Sequence, residues 1–160
     1  MADEQRARPA DEGANTAPTS VEARTLDWPA AGRAAQAAAR EAQQLGVRVN
    51  VAVVDAGGNL AAFLRMPGAP LHSIDIAIDK AYTAVSFGLP TDRWSEALQA
   101  HSEAVRQGIV LRPRFVGFGG GLPITEGGQR IGGIGVSGGS EEQDGVCAQA
   151  GLRSLGLADS

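Results

Sequence analysis

From Leu26 to Leu45 small and apolar residues recur in LDWPAAGRAAQAAAREAQQL, a run of strong helix formers. Pro29 fits only the first turn and Gly46 stands as a C-terminal stop, so this stretch is predicted to be the first helix. The period then shortens. Val47, Val49, Val51 and Val53 share one face of VRVNVAVVD, with Arg48, Asn50 and Ala52 on the other, and NLAAFLRM follows the turn residues DAGGN. A two-stranded hairpin is expected. In SIDIAIDKAYTAVSFG the helical period returns: Ile74, Ala77, Ile78, Ala81, Ala84 and Val85 fall on one arc, with Ser73 as the expected N-cap. Thr91 can cap again, and DRWSEALQAHSEAVRQG reads as shorter helical turns. FVGFGGG, LPIT and QRIGGIGVSG read as short strands with turns at Gly119 to Gly121 and at EGG. Ser140 with Gln143 forms a capping box that opens a last helix to about Leu155, with Glu141, Glu142 and Asp144 where its dipole favours acids.

This order predicts an α+β domain, residues 25–160, around a mainly antiparallel sheet. Residues 1–24 are nearly free of large apolar groups and are expected to form a disordered tail.

Composition narrows the function classes. Fourteen basic residues stand against 18 acidic ones, without a basic stripe, so no nucleic-acid partner is expected. Lys80 is the only lysine, and Cys147, the only cysteine, excludes an intrachain disulfide and reads as a buried, inert thiol. Neither a long apolar run nor a signal peptide is visible, so no membrane partner is expected and the expected location is cytoplasmic.

Glycines concentrate between Phe115 and Asp144. GFGGGLPI lacks the Lys-Ser/Thr ending of a phosphate loop, and IGGIGVSGG lacks dinucleotide-binding spacing, so tight turns and close helix packing explain many of these glycines. Lys80 falls at the edge of the apolar face of its helix, near Thr83 and opposite Asp75 and Asp79. There it either snorkels over the core or anchors a carboxylate, or serves as a base if burial depresses its pKa. His72 and His101 are the only imidazoles, so no multi-histidine metal site is expected. His72 reads most simply as a loop residue, although one histidine suffices for an axial haem ligand. Arg65 and Asp55 flank the hairpin as an ion pair or a pocket mouth; Phe63, Met66, Phe87 and Phe118 read as core.

Taken together, VAVVDAGGNLAAFLRM, HSIDIAIDKAYTA, FGGGLPI and IGGIGVSGGSEEQD resemble the GlcG/HbpS family, also called the haem-degrading or DUF336 family. The blocks occur in family order, and the resemblance spans about Leu26 to Leu155; it extends to the C-terminal domain of corrinoid adenosyltransferases of the PduO type. It implies a profilin-like three-layer α/β/α sandwich with a five-stranded antiparallel sheet, homo-oligomers up to octamers, and haem as a ligand in some members. The threonine of the KAxTA block, a haem contact in a secreted member, corresponds to Thr83, with Lys80 in the same block. The first-helix histidine linked to haem ligation in the corrinoid branch has no counterpart here, which puts axial ligation by that route in doubt.

Two readings follow. In the first the protein is a homo-oligomer binding haem or a related tetrapyrrole, with Thr83, Lys80, His72, Arg65 and the Gly119, Gly120, Gly121 turn near the ligand. In the second it is a cofactor-independent enzyme performing proton-transfer chemistry, of isomerase or lyase type, on a small oxygenated metabolite. Lys80, Glu142 or Asp144 would then be the base, and the backbone N–H groups of the glycine turn would stabilise an oxyanion.

Overall fold

The computed structural model describes residues 17–157. Most of the expected tail, residues 1–16, lies outside the described residues; 17–24 are exposed and belong to no helix or strand.

Helix α1 runs Trp28–Gln44, with Asp27 as N-cap and Pro29 in the first turn. Strands β1 (Asn50–Asp55) and β2 (Leu60–Arg65) form the hairpin, closed at Asp55, whose carboxylate accepts from the N–H groups of Gly57 and Asn59. Helix α2 spans Ser73–Phe87. Its N-cap is His72 rather than Ser73, without a side-chain cap bond. Short helical pieces follow, including α3 (Trp94–Ala97) and α4 (Glu103–Ile109), and then β3 (Gly121–Glu126), β4 (Gln129–Ser137) and α5 (Glu141–Ser154). The expected capping box at Ser140 and Gln143 is present.

The strands form one antiparallel sheet in the order β2-β1-β4-β3. The two hairpins are joined by β1 against β4, with Val53 opposite Ile134. The sheet therefore has four strands, not five. FVGFGG, residues 115–120, is not a strand: Gly120 takes φ 118°, the Gly119 N–H goes to the side chain of Glu141, and β3 starts only at Gly121, whose own N–H goes to Thr91.

Helices cover both faces. Val49, Val51, Val53, Ile134 and Val136 pack under α1 and α5, while Ala52 and Val54 meet Ala77, Ala81 and Val85 of α2. The central strands are thus buried on both sides. The α2 face of β4 is glycine for a steric reason: a Cβ at Gly133 would stand 2.5 Å from the Ala81 carbonyl.

Candidate functional site

Lys80 does not snorkel to solvent. It is 1% exposed, and its Nζ donates to Asp144 Oδ2 at 2.9 Å and to the Val136 carbonyl at 2.8 Å. Asp144 sits in the first turn of α5, where its Oδ1 accepts from the Gly139 N–H. The pair therefore ties the two helical layers together past the end of β4. Burial pulls the Lys80 ammonium below its usual pKa, opposed by the charge and hydrogen bond of Asp144. Burial likewise pushes the Asp144 carboxyl up, opposed by Lys80 and by the Gly139 and Gly138 N–H groups.

The glycine turn closes over this pair. A Cβ at Gly120 would lie 2.5 Å from the Val136 carbonyl and 2.8 Å from both Lys80 Nζ and Asp144 Cβ, so only glycine fits. Outside the turn lies a cleft of about 410 Å³ lined by Gly119, Gly120, Gly121, Leu122, Val146 and Arg153, with Asp92, Glu141 and Glu142 at its rim. The structure thus brings Lys80, Asp144 and the glycine turn together, with the exposed Glu142 nearby. Phe118 is 44% exposed, its ring 5.0 Å from Lys80 Nζ.

Thr83 belongs to a different neighbourhood. Buried on α2, its hydroxyl donates to the Arg114 carbonyl at 2.9 Å and accepts from the Val116 N–H at 3.1 Å. It backs a small cavity of about 160 Å³ walled by Tyr82, Phe87, Arg112, Arg114 and Phe115. Tyr82 separates this cavity from a larger cleft, about 560 Å³, lined by Arg24, Gly57, Gly58, Val85 and Arg130 among others. Arg24 there pairs with Glu126.

His72 and Arg65 join neither group. His72 is exposed at the start of α2, and Arg65 donates to the Ala69 carbonyl at 2.7 Å. Arg65 and Asp55 form no ion pair, because Arg65 lies opposite Asn50, at the other end of β1 from Asp55. The phenylalanines expected in the core are partly outside it: Phe63 and Phe87 are exposed, while Met66 is buried. Cys147 is buried as expected, and burial pushes its thiol up to about 12.

Three residues that shape these sites escaped the sequence reading. Thr91 is not the expected helix cap: its buried hydroxyl accepts the Gly121 N–H at 2.8 Å. Tyr82, the only tyrosine, and Arg114 share no sequence motif and stand 32 positions apart, yet the guanidinium lies 3.5 Å from the ring centroid. The one available signal was the unusual Arg-Pro-Arg of residues 112–114, since proline restricts the residue before it.

The family model described as haem degrading protein HbpS-like matches residues 26–153. An uncharacterised 15.0 kDa protein from the dhaT-dhaS intergenic region of Citrobacter freundii is 39% identical over 128 residues, 80% of this chain and 90% of that protein. The corrinoid adenosyltransferase PduO of Salmonella typhimurium is 39% identical over 122 residues, 76% of this chain but only 36% of that protein. Among solved structures, a PduOC:haem complex superposes with a TM-score of 0.74 at 38% identity, covering 81% of this chain and 94% of that one. With the four sequence blocks, the antiparallel sheet and a family match across nearly all the described residues, this chain belongs to the HbpS-like family.

Proposed function

We propose that this protein binds haem or a related tetrapyrrole. The observation that carries the reading is the likeness to the PduOC:haem complex across 81% of the chain. Of the two clefts described above, the one beside Tyr82 is the roomier candidate for such a ligand. Its volume, about 560 Å³, falls among ordinary small-molecule sites of roughly 300–1,000 Å³. The Tyr82 ring gives it some apolar surface, and Arg130 and Arg24 line it, with Arg24 paired to Glu126 and Glu22 on the same wall. The cleft over the glycine turn carries Asp92, Glu141 and Glu142 against one arginine, which repels a dianionic ligand. Bound haem would supply redox chemistry at its iron, and the residues of this chain would set its position and the polarity around it.

In this reading Thr83 supports the wall of the site from behind Tyr82 instead of touching the ligand from the open cleft. The same reading includes a cytoplasmic setting and assembly into a homo-oligomer, up to an octamer. Light scattering on the purified protein checks assembly, and a monomer at working concentration removes that part.

A second reading, proton-transfer catalysis, is favoured by the buried Lys80–Asp144 pair under the glycine turn. It requires that Lys80 leave two hydrogen bonds, and that the N–H groups of Gly119 and Gly121 be released from Glu141 and Thr91. Binding is therefore the conclusion. Titration of the purified full chain with hemin should give a saturable Soret change at one equivalent per chain; a linear, unsaturating response removes the proposal.

A further inference from the structure

We infer that residues 95–115 form an arm that docks, head to tail, into the cleft over the glycine turn of a second copy of this chain. The inference rests on the homo-oligomeric assembly in the reading above and names its contact. It begins from an element with nothing beneath it. Trp94 is buried edge-on against Phe87 and Phe115, with ring centroids 4.8 and 4.9 Å away, and the buried Thr83 hydroxyl holds the Arg114 carbonyl. Between these two anchors no side chain is buried; Val105 and Val110 are exposed, and Leu111 is 81% exposed. Helix α4, seven residues long, lies in this stretch. Helices that short are marginal in water, because most of their stability comes from tertiary packing. Within one chain that packing is missing.

The cleft of about 410 Å³ over the glycine turn is the complementary surface. Its wall is apolar at Leu122 and at Val146, which is exposed on α5. Its rim carries Asp92, Glu141 and Glu142, none of which forms an ion pair among the described residues. Arg106 and Arg112 of the arm form none either. Arg153, the one cation on the wall, is drawn to Glu41 on α1. Apolar residues flanked by arginines thus match an apolar wall flanked by acids, and such complementarity selects the partner.

A glycine marks where the docked chain lies. Gly145 sits inside α5 on the cleft wall, where glycine costs helix stability relative to alanine, yet a Cβ there would meet nothing within 4 Å. Gly151 of the same helix has its reason within the chain, since its Cβ would stand 2.5 Å from Ile134 Cδ1. Gly145 has none, and the close approach of another backbone supplies one. The arm of the same chain lies elsewhere, with Ile109 and Arg112 walling the small cavity beside Tyr82 and Phe87. The occupant is therefore a second copy, and an arm-to-cleft contact of this kind builds a ring when its rotation closes.

The test is the mass of the purified full chain by light scattering and sedimentation velocity across concentration. Wild-type protein should assemble beyond a monomer. Leu111→Glu places a charge on the arm, and Gly145→Trp fills the cleft from a position with free space around it. Each should weaken association at least roughly tenfold, the lower end of what burying a leucine side chain provides, with an unchanged circular dichroism spectrum. Mixed together, the two variants should pair 1:1, one chain giving its intact arm and the other its intact cleft. A face that pairs only with its own copy is not rescued in this way. Variants that assemble as wild type does, or that fail to pair when mixed, overturn the docking and leave haem binding and assembly standing. A monomeric wild type overturns assembly and docking together, independently of the hemin titration. Should Gly145→Trp fail to fold, Gln149→Trp on the same wall replaces it.

Discussion

Gly120 shows how much one missing side chain can specify. Its φ of 118° is unfavourable for any L residue, and the space a Cβ needs is already taken by Val136, Asp144 and Lys80. Gly120→Ala is expected to destabilise the protein by about 1–3 kcal/mol through overpacking, with backbone strain adding to this. Thermal unfolding measures the loss; an unchanged Tm would mean that the turn and the Lys80 pair yield easily. Cys147 makes a second prediction at this scale. A buried thiol whose pKa is raised to about 12 holds little thiolate near neutral pH, so native protein should resist alkylation there and react once unfolded. Rapid labelling of the native protein would contradict the burial. The sequence carried the cysteine's fate because a lone apolar-flanked thiol needs no partner. It could not carry that of Lys80, whose position at a helical boundary suits snorkelling as well as an ion pair with a residue 64 positions away.

At the scale of elements, α2 and α5 are coupled through the Lys80–Asp144 pair, since each helix lies on a different face of the sheet. Lys80→Met leaves a buried carboxylate alone and should cost about 3–5 kcal/mol in chemical denaturation. Lys80→Met with Asp144→Leu removes both charges and should recover much of that loss. If the double variant is no more stable than the single one, packing and not the uncompensated charge dominates. Ser140→Ala tests a local element, because the capping box acts on its own helix; about 1 kcal/mol is expected. Elements whose signals are local were legible: the alanine-rich α1, the hairpin around DAGGN, and the capped α5. Residues 115–120 have the look of a strand in sequence alone, but a strand is defined by its partner. The N–H groups of Gly119 and Gly121 found the side chains of Glu141 and Thr91, which no window on that segment contains.

For the whole molecule, the titration of these buried groups sets the alkaline stability. Between about 9 and 12 the unfolded thiol of Cys147 ionises while the native one keeps its proton, so stability falls as pH rises through that window. Lys80 acts in the opposite sense. Its native pKa lies below the ordinary lysine value of about 10.5, so beneath that pH the unfolded state binds more protons and stability rises toward it. Cys147→Ala should flatten the decline above pH 9 in urea titrations repeated across pH, and an unaltered slope would assign the decline elsewhere. Among the described residues no helix is long and apolar enough to cross a membrane, and no cluster of three or more metal-ligating side chains occurs.

The amino-acid sequence by itself determined the helices, the first hairpin, the helix caps and the family, because each rests on periodicity, turn chemistry or ordered motifs within a short span. Only the tertiary structure decided that the sheet has four strands ordered β2-β1-β4-β3, that Lys80 is spent on Asp144, and that Tyr82 stands under Arg114 at a cleft. The physical reason is the same in each case. Strand partners, buried charges and stacked side chains are chosen by groups far apart in the chain, and their energies exist only once the layers have closed.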